Sequence, residues 1–596
     1  MPHLLIIGGP SIDILHFKNQ TKKSAGGAGL YTALAAYRSG CDITMYSPKP
    51  DPIPDLLNPL EERLTEWFGP IVTLNEIPHF EISQHGDKAT YLEFDVGEEE
   101  RLDPSALPQD LSIYDGIHIT ALGHTTGQLT FVEVCRARGA KMISSGSFLN
   151  LIELNPDYVR TLIEETDVFF LNEEEAVGIF GSLENTHTQP GKLLFITRGG
   201  KGAAVVQGTH KTELKAIPAD VLDPTGAGDT FCGATLSNLL QGQHPLMAAR
   251  KAMALASKEI EHIGPAALIF NQSPPKIPLD KRVKINEDQV ERISAVIQSI
   301  PEAEAFNFVS DYYPPINHTL TTDYFFVQTL QQFSFWETKH NRYDHPLIAT
   351  IDGHECKGST YLSYGYMRPL DHDPEFYSPQ RQADTTTAEM FALFQADDGT
   401  DPMPALDLHL SKAQDYGRDM LSSGLTPKDI LRISNQATRP LTTFLSILDH
   451  IGGYKEDPLR KKSSLLALIL MERPEHLLSV SKEEKIQPVI DYHAMRFCLR
   501  TGLITILDEI LRKNIANRNL VTVGEEWAIR YACYLAVQRL VEVTGLSSGA
   551  VDNITFKYNR QHCPEMIEPI CKQCAFDQVC AKRKELFQPV IRTTFY

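Results

Sequence analysis

The stretch DPTGAGDTFCGA, residues 223–234, sets a carboxylate directly behind a turn of small residues. Gly226, Ala227 and Gly228 leave backbone N–H groups able to point outward at a helix N-terminus. There the helix dipole and the unsatisfied donors attract anionic oxygen. Asp229 then stands where it can take the proton of a hydroxyl attacking a phosphoryl group. A second reactive set lies far along the chain. CPEMIEPICKQCAFDQVC carries Cys563, Cys571, Cys574 and Cys580 in the spacing C-x7-C-x2-C-x5-C. Four thiols in 18 residues predict a metal site, and such a set serves either zinc or an iron–sulfur cluster. The other six (Cys41, Cys135, Cys232, Cys356, Cys498 and Cys533) are scattered through apolar or helical contexts and read as small core side chains. Both groups fit a reducing cytoplasm.

The elements that must position these residues fall into two halves. Residues 1–270 alternate β-rich and helical runs. HLLIIGG, DITMYSP, GIHITAL, KMISSGS, DVFFLN and LLFITRG predict strands, with helices such as GGAGLYTALAAYRSG and QLTFVEVCRARGA between them. That order predicts an α/β domain with a mostly parallel sheet and helices on both faces. HFEISQHGDKATYLEFDVG, residues 79–97, alternates polar and apolar side chains and predicts an antiparallel pair added to this sheet as a small lid. After the amphipathic helix of residues 244–264, NQSPPKIPLDKR (271–282) predicts a linker. Residues 283–596 predict a mostly α domain from DQVERISAVIQSI, SSLLALILMERPEHLLS, GLITILDEILRKNI and EEWAIRYACYLAVQRLVEV.

Five short motifs of the first half occur in a telling order: GGPSID (8–13), AGGAG (25–29), NEEE (172–175), TRGGKG (197–202) and DPTGAGD (223–229). As a set they resemble the ribokinase/PfkB family of sugar and nucleoside kinases, over about the first 270 residues. The resemblance implies roles. Asp13, closing the first strand, would bind sugar hydroxyls, with Gly26 and Gly27 letting the sugar approach the backbone. Asn172 and Glu175 match an NxxE motif that organises magnesium and its waters. Thr197, Gly199 and Gly202 would line the ATP site beside the Gly226–Ala227–Gly228 anion hole, and Asp229 would be the base. One position departs from the pattern. Tyr31 stands near the place where the family usually has an asparagine contacting the sugar, which opens the identity of the acceptor.

The second half contains DYFFVQTLQQFSFW (323–336), KGSTYLSYGYMRPLD (357–371), DDGTDPMPALDLH (397–409), DYHAM (491–495) and PVIRTTFY (589–596). In that order they resemble the queuosine 5′-phosphate N-glycosylases, the queuosine salvage proteins, from about residue 300 onward. That family is related in structure to helix-hairpin-helix DNA glycosylases, many of which end in C-x6-C-x2-C-x5-C holding a [4Fe–4S] cluster. This chain differs by one residue in the first gap, and zinc stays the alternative. The resemblance implies that Asp491 is the catalytic carboxylate, stabilising or attacking a sugar cation of oxocarbenium character. Asp552, expected at a helix start, would meet donor edges of the base, unless it is merely an N-cap. Phe333, Phe335 and Trp336 would offer flat apolar surface to a purine-like ring. DYHAM departs from the family's usual Asp-Tyr-Arg-hydrophobic-Pro, and Lys557 stands where a second acidic residue is usual, so the base is not fixed as queuine.

Composition narrows the classes. The chain has 596 residues, too many for one core. No apolar run is long enough to span a bilayer. The opening MPHLLIIGGPSID lacks a basic n-region and reads as a buried strand, not a signal peptide. A formal net charge of −20 argues against a general nucleic-acid binder. The expectation is a cytoplasmic bifunctional enzyme, using ATP, Mg2+ and a [4Fe–4S] cluster, that phosphorylates a modified nucleoside and then frees its base. A small nucleoside or nucleotide is the expected partner, and a homodimer is left open. Two alternatives stand beside it. One is a DNA repair or defence glycosylase, with Lys572, Lys582, Arg583, Lys584 and Arg592 meeting phosphates. The other is a nucleoside sensor without turnover.

Overall fold

The computed structural model describes residues 1–596 except 18–19, 86–87, 123–126, 271–274 and 302–303. Side chains of residues 17, 20, 84, 85, 88, 89 and 91 are also left undescribed. The first four residues of the expected linker therefore lie outside the described residues. The chain divides into two compact units, Met1–Pro278 and Leu279–Tyr596.

The first unit is built on a nine-stranded sheet. In spatial order its strands are His210–Leu214, Ala203–Gln207, Leu193–Thr197, Val168–Asn172, Ile143–Gly146, Gly116–Ile119, His3–Ile7, Asp42–Tyr46 and Glu66–Phe68. From Leu193–Thr197 to Glu66–Phe68 neighbours pair in parallel, and the two strands beyond Leu193–Thr197 pair antiparallel. The His3–Ile7 strand is apolar on both faces, as a sheet covered on both sides requires. Leu4 and Ile6 enter one core with the Ala28–Arg38, Ala227–Leu240 and Pro245–Glu259 helices, while Leu5 and Ile7 enter the other.

Two expectations are corrected here. Residues 79–97 do not extend the main sheet. His79–His85 and Lys88–Asp95 belong to a separate four-stranded sheet, with Ser11–Phe17 and Gln20–Gly26. Nor does Asp13 close the first strand. That strand ends at Ile7, the chain turns through Gly8–Pro10, and Asp13 lies on Ser11–Phe17 of the second sheet. The reason is a non-local pairing, Ser11–Phe17 running parallel to His79–His85.

The second unit is largely helical around two cores. Three two-stranded sheets interrupt it: Val283–Ile285 with Ile504–Ile506, Trp336–Lys339 with Arg342–Pro346, and Ile348–Ile351 with His354–Lys357. GLITILDEILRKNI is thus not one helix. Ile504–Ile506 is a strand, and the helix begins at Glu509, capped by Asp508. The longest helix, Val523–Thr544, opens on a reciprocal cap between Thr522 and Glu525. Among the described residues no helix is long and apolar enough to cross a membrane.

Candidate functional site

In the first unit Asn172 and Thr197 end two parallel strands at their carboxyl ends, where open α/β sheets bind ligands. Gly226 caps the Ala227–Leu240 helix in the left-handed region, φ 78°. A Cβ there would come within 2.5 Å of the Tyr31 ring, so only glycine permits this turn. Asp229 follows in the first helical turn, and burial pushes its carboxyl up to about 6. Asp13 is buried and accepts from Ser11 Oγ at 2.6 Å. Burial, aided by Asp223, holds its pKa at about 7. A Cβ on Gly26 would lie 1.8 Å from Asp13 Oδ2, and one on Gly27 would lie 2.7 Å from the Ser11 nitrogen. The paired glycines therefore make room for the Asp13 strand.

Asn172 and Glu175 cap one helix reciprocally. Glu175 N–H donates to Asn172 Oδ1 at 2.9 Å, and Asn172 N–H donates to Glu175 Oε2 at 2.8 Å. Glu175 is raised to about 7 by burial, with Asp229 among the charges that add to the shift. Thr197 ends the strand beside Asn172, in direct register with it. The turn beyond is glycine-dependent: Gly199 has φ +53°, and a Cβ on Gly202 would strike the Leu214 carbonyl at 1.9 Å. Glu173 ties this turn to the NEEE segment through Arg198 at 3.2 Å and Lys201 at 2.8 Å.

Sequence reasoning assigned no role to Asp223 or Glu259. Asp223 accepts from Thr225 N–H at 3.0 Å and Gly264 N–H at 2.8 Å, joining the anion turn to the loop after the Pro245–Glu259 helix. Its place at the head of the DPTGAGD motif was the available signal. Glu259 is fully buried, and neither carboxyl oxygen has a hydrogen-bond partner among the described residues. Burial first, then Asp223 and Asp229, push it well above the usual carboxylate range. One consequence is testable. If Asp229 is the base it must be ionised to work, and burial holds its proton up to about pH 6. ADP formation at limiting acceptor should therefore fall about tenfold per unit below pH 6 and level off above it. A profile flat from pH 5 to 8 would contradict that assignment.

In the second unit Asp491 and Asp552 are electrostatically coupled around Lys461. Asp491 caps the Tyr492–Thr501 helix, its Oδ1 accepting from His493 N–H at 2.8 Å and Ala494 N–H at 3.0 Å. Asp552 is not a helix cap. Ser547 caps the Ser548–His562 helix, and Asp552 sits in its second turn. Burial raises Asp552 to about 7, the Asp491 charge adds to this, and Lys461 opposes it. Lys461 is buried, its Nζ donating to the Gln332 carbonyl at 2.9 Å. Burial lowers its pKa against the pull of Asp491. Nothing in the KKSS stretch marked Lys461 as more than a helix-start cation.

The three aromatics fall in different surroundings. Phe333 stacks on His409 at 4.3 Å, with Lys462 Nζ over the ring at 5.0 Å. Phe335 is part of the main core of this unit. Trp336 stacks on Tyr343 at 5.2 Å and meets Phe587 edge-on. The Trp336 indole N–H is buried without a partner among the described residues.

Cys563, Cys571, Cys574 and Cys580 all line one cavity of about 40 Å3, with Phe497, Arg500 and Tyr558 in its wall. All ten cysteines lie outside disulfides, and the six scattered ones are buried. Among the described residues no three His, Cys, Asp or Glu side chains are grouped so as to hold a metal ion. Four of the five basic residues named above are engaged within the fold. Lys582 pairs with Asp577 at 2.7 Å, Lys584 pairs with Glu568, Arg583 donates to the Ile504 carbonyl at 3.0 Å, and Arg592 donates to Thr338 Oγ1 at 2.9 Å.

Comparison with known proteins bears on the first unit. Residues 108–270 match the family described as pfkB family carbohydrate kinase. The N-terminal unit is a ribokinase-like domain. A cytidine kinase of Thermococcus kodakarensis is 23% identical over 253 residues, covering 41% of this chain and 90% of that protein. A ribokinase of Bacillus subtilis is 26% identical over 288 residues, covering 44% of this chain and 94% of that protein. Among solved structures, a Burkholderia thailandensis nucleoside kinase in complex with inosine is 20% identical, with a TM-score of 0.38, covering 46% of this chain and 95% of that one.

Proposed function

We propose that this chain is a two-step nucleoside-processing enzyme. The ribokinase-like unit transfers the γ-phosphoryl group of ATP to the 5′-hydroxyl of a nucleoside. The helical unit, read as a glycosylase of the queuosine-salvage and helix-hairpin-helix type, then hydrolyses the N-glycosidic bond of the 5′-monophosphate. The nucleoside is read as one with a 7-deazaguanine base, queuosine-like.

In the first step Asp13 holds sugar hydroxyls at the Gly26–Gly27 backbone. Asp229 takes the 5′-hydroxyl proton, and the Gly226–Ala227–Gly228 turn receives the charge of the transferring group. Thr197, Gly199 and Gly202 border the nucleotide. Asn172 and Glu175 would hold the water shell of magnesium, which supplies neutralisation of phosphate charge when bound. The fit rests on Glu175, a buried carboxyl within electrostatic reach of Asp229. In the second step the C–N electron pair leaves with the base, which takes up a proton, and water adds its oxygen to C1′. Asp491 faces the positive charge that builds at C1′. Asp552, holding its proton near neutrality, can donate to the departing base. Phe333 and Trp336 are the candidates for the wall of the base pocket, while Phe335 serves the core.

The four cysteines are read as ligands of a [4Fe–4S] cluster. A single zinc needs four sulfurs about 2.3 Å from one point. These four thiols line one cavity, and such a set serves an iron–sulfur cluster, with zinc the alternative.

The observation that carries the two-step reading is the Asp491–Asp552–Lys461 group in a unit joined to a kinase fold. The test is to supply queuosine, with and without ATP and Mg2+, and follow the free base by mass spectrometry. Release of queuine only with ATP is expected. Equal release without ATP would remove the kinase from the sequence.

A further inference from the structure

Asp491 caps one helix of this unit and Asp552 stands in the second turn of another, and both of those helices end at the cysteines. The Tyr492–Thr501 helix starts on Asp491, and its last turn places Arg500 and Thr501 in the wall of the cysteine cavity. Arg500 Nη1 donates to Cys563 Sγ at 3.3 Å and to the Pro564 carbonyl at 3.0 Å. The Arg500 carbonyl lies 3.6 Å from Cys580 Sγ and accepts from Arg583 N–H at 3.1 Å. The Ser548–His562 helix carries Asp552 in its second turn and is closed at its far end by Cys563 itself. Between these ends, Asn559 Nδ2 of the second helix donates to the His493 carbonyl of the first at 2.7 Å. Two residues past Cys563, buried Glu565 reaches back to Lys357 and, at 3.6 Å, to Arg496 on the first helix.

We infer that the four-cysteine site is a clamp. A [4Fe–4S] cluster held by Cys563, Cys571, Cys574 and Cys580 fixes the C-terminal ends of the Tyr492–Thr501 and Ser548–His562 helices, and so sets the separation of Asp491 and Asp552. Arg500 is the positioning residue that links the first helix to the sulfur ligands. This rests on the glycosylase and iron–sulfur readings above. The lever is long. At 1.5 Å per residue, each carboxylate stands roughly 15 Å from the clamped end of its helix. A tilt of about 4° at that end moves the carboxylate by about 1 Å, and misplacement of that size can cost about a hundredfold in rate. The rest of the segment favours the same role. Phe576, two residues past Cys574, packs its ring on Phe497 of the first helix at 5.3 Å and on Tyr558 of the second at 5.4 Å. Gln289 Nε2 donates to the carbonyls of Thr501 and Val579, both at 2.7 Å.

The test uses the full chain purified without oxygen. Iron and acid-labile sulfide are counted, and hydrogen exchange is followed in the two helices. The comparison is between loaded protein, protein stripped by oxidation and chelation, and the variants Cys574→Ser and Arg500→Gln. The clamp predicts about four iron and four sulfide per chain. It predicts exchange at least tenfold faster in both helices after stripping, with the Thr321–Thr329 helix unchanged. It also predicts cleavage of a supplied nucleoside 5′-monophosphate slowed about a hundredfold, while ADP formation stays within twofold. Should Cys574→Ser unfold the whole unit, Arg500→Gln, which keeps every thiol, decides. It should loosen the Tyr492–Thr501 helix and slow cleavage while the iron count holds. One zinc without sulfide, or stripped protein with both helices as protected as before, would overturn the clamp. Faster exchange in a protein whose loaded form cleaves no nucleotide supports the clamp and removes only the glycosylase reading.

Discussion

Asp229→Asn should lower ADP formation by about 10²–10⁴-fold, the range that a positioned general base contributes. The amide has nearly the same size and keeps the backbone in place, including the Asp229 carbonyl that lies 3.4 Å from Thr32 Oγ1. What it loses, on the proposed function, is the ability to take the 5′-hydroxyl proton. Asparagine fills nearly the same volume, so the substitution removes no large packing contact, and a thermal shift of the first unit should be small. Nucleoside binding, measured by calorimetry, should change by less than about threefold, because the turn and Asp13 remain. The same variant should still cleave a supplied 5′-monophosphate at the wild-type rate. Turnover above a tenth of wild type would show that the proton leaves by another route.

The complementary expectation concerns Asp491→Asn. Asparagine caps helices about as well as aspartate. The two N–H bonds from His493 and Ala494 should survive, and with them the start of the helix. The negative charge goes. If that charge stabilises the developing sugar cation, cleavage of a supplied monophosphate should fall by about 10²–10³-fold, the usual effect of removing one preorganised electrostatic group. ADP formation should be untouched. Asp491→Ala would also lose the cap, at a cost of about 1 kcal/mol, and so confound folding with chemistry. Asn at 491 with cleavage near the wild-type rate would assign the step to Asp552 or to neither residue.

The parts of this molecule that sequence revealed are those where backbone geometry dictates composition. Gly226 must be glycine because its φ is positive and Tyr31 occupies the space of a Cβ, so the turn is written directly into DPTGAGD. The parallel strands are short, apolar and evenly spaced, which makes them readable one at a time. What stayed hidden depends on distant partners. Ser11–Phe17 looks like a continuation of the first strand until it pairs with His79–His85. Ile504–Ile506 looks helical until it pairs with Val283–Ile285. Asp552 resembled a cap because helix starts favour aspartate, yet Ser547 holds that place. Glu259 lies on a helix whose charges suggest a wet face, and only the packed structure reveals it as a buried carboxyl beside Asp223 and Asp229. Lys461 and Asp491 are about 30 residues apart, and no spacing rule joins them.

The central claim is an order of events: negative charge is added at the 5′ position before the base is released. The direct test replaces the acceptor oxygen. Queuosine and 5′-deoxyqueuosine are each incubated with the intact protein, ATP and Mg2+, and free queuine is followed by mass spectrometry. The account predicts queuine and an equal amount of ADP from queuosine, and neither from the 5′-deoxy analogue. Release of queuine from the analogue at the same rate would contradict it.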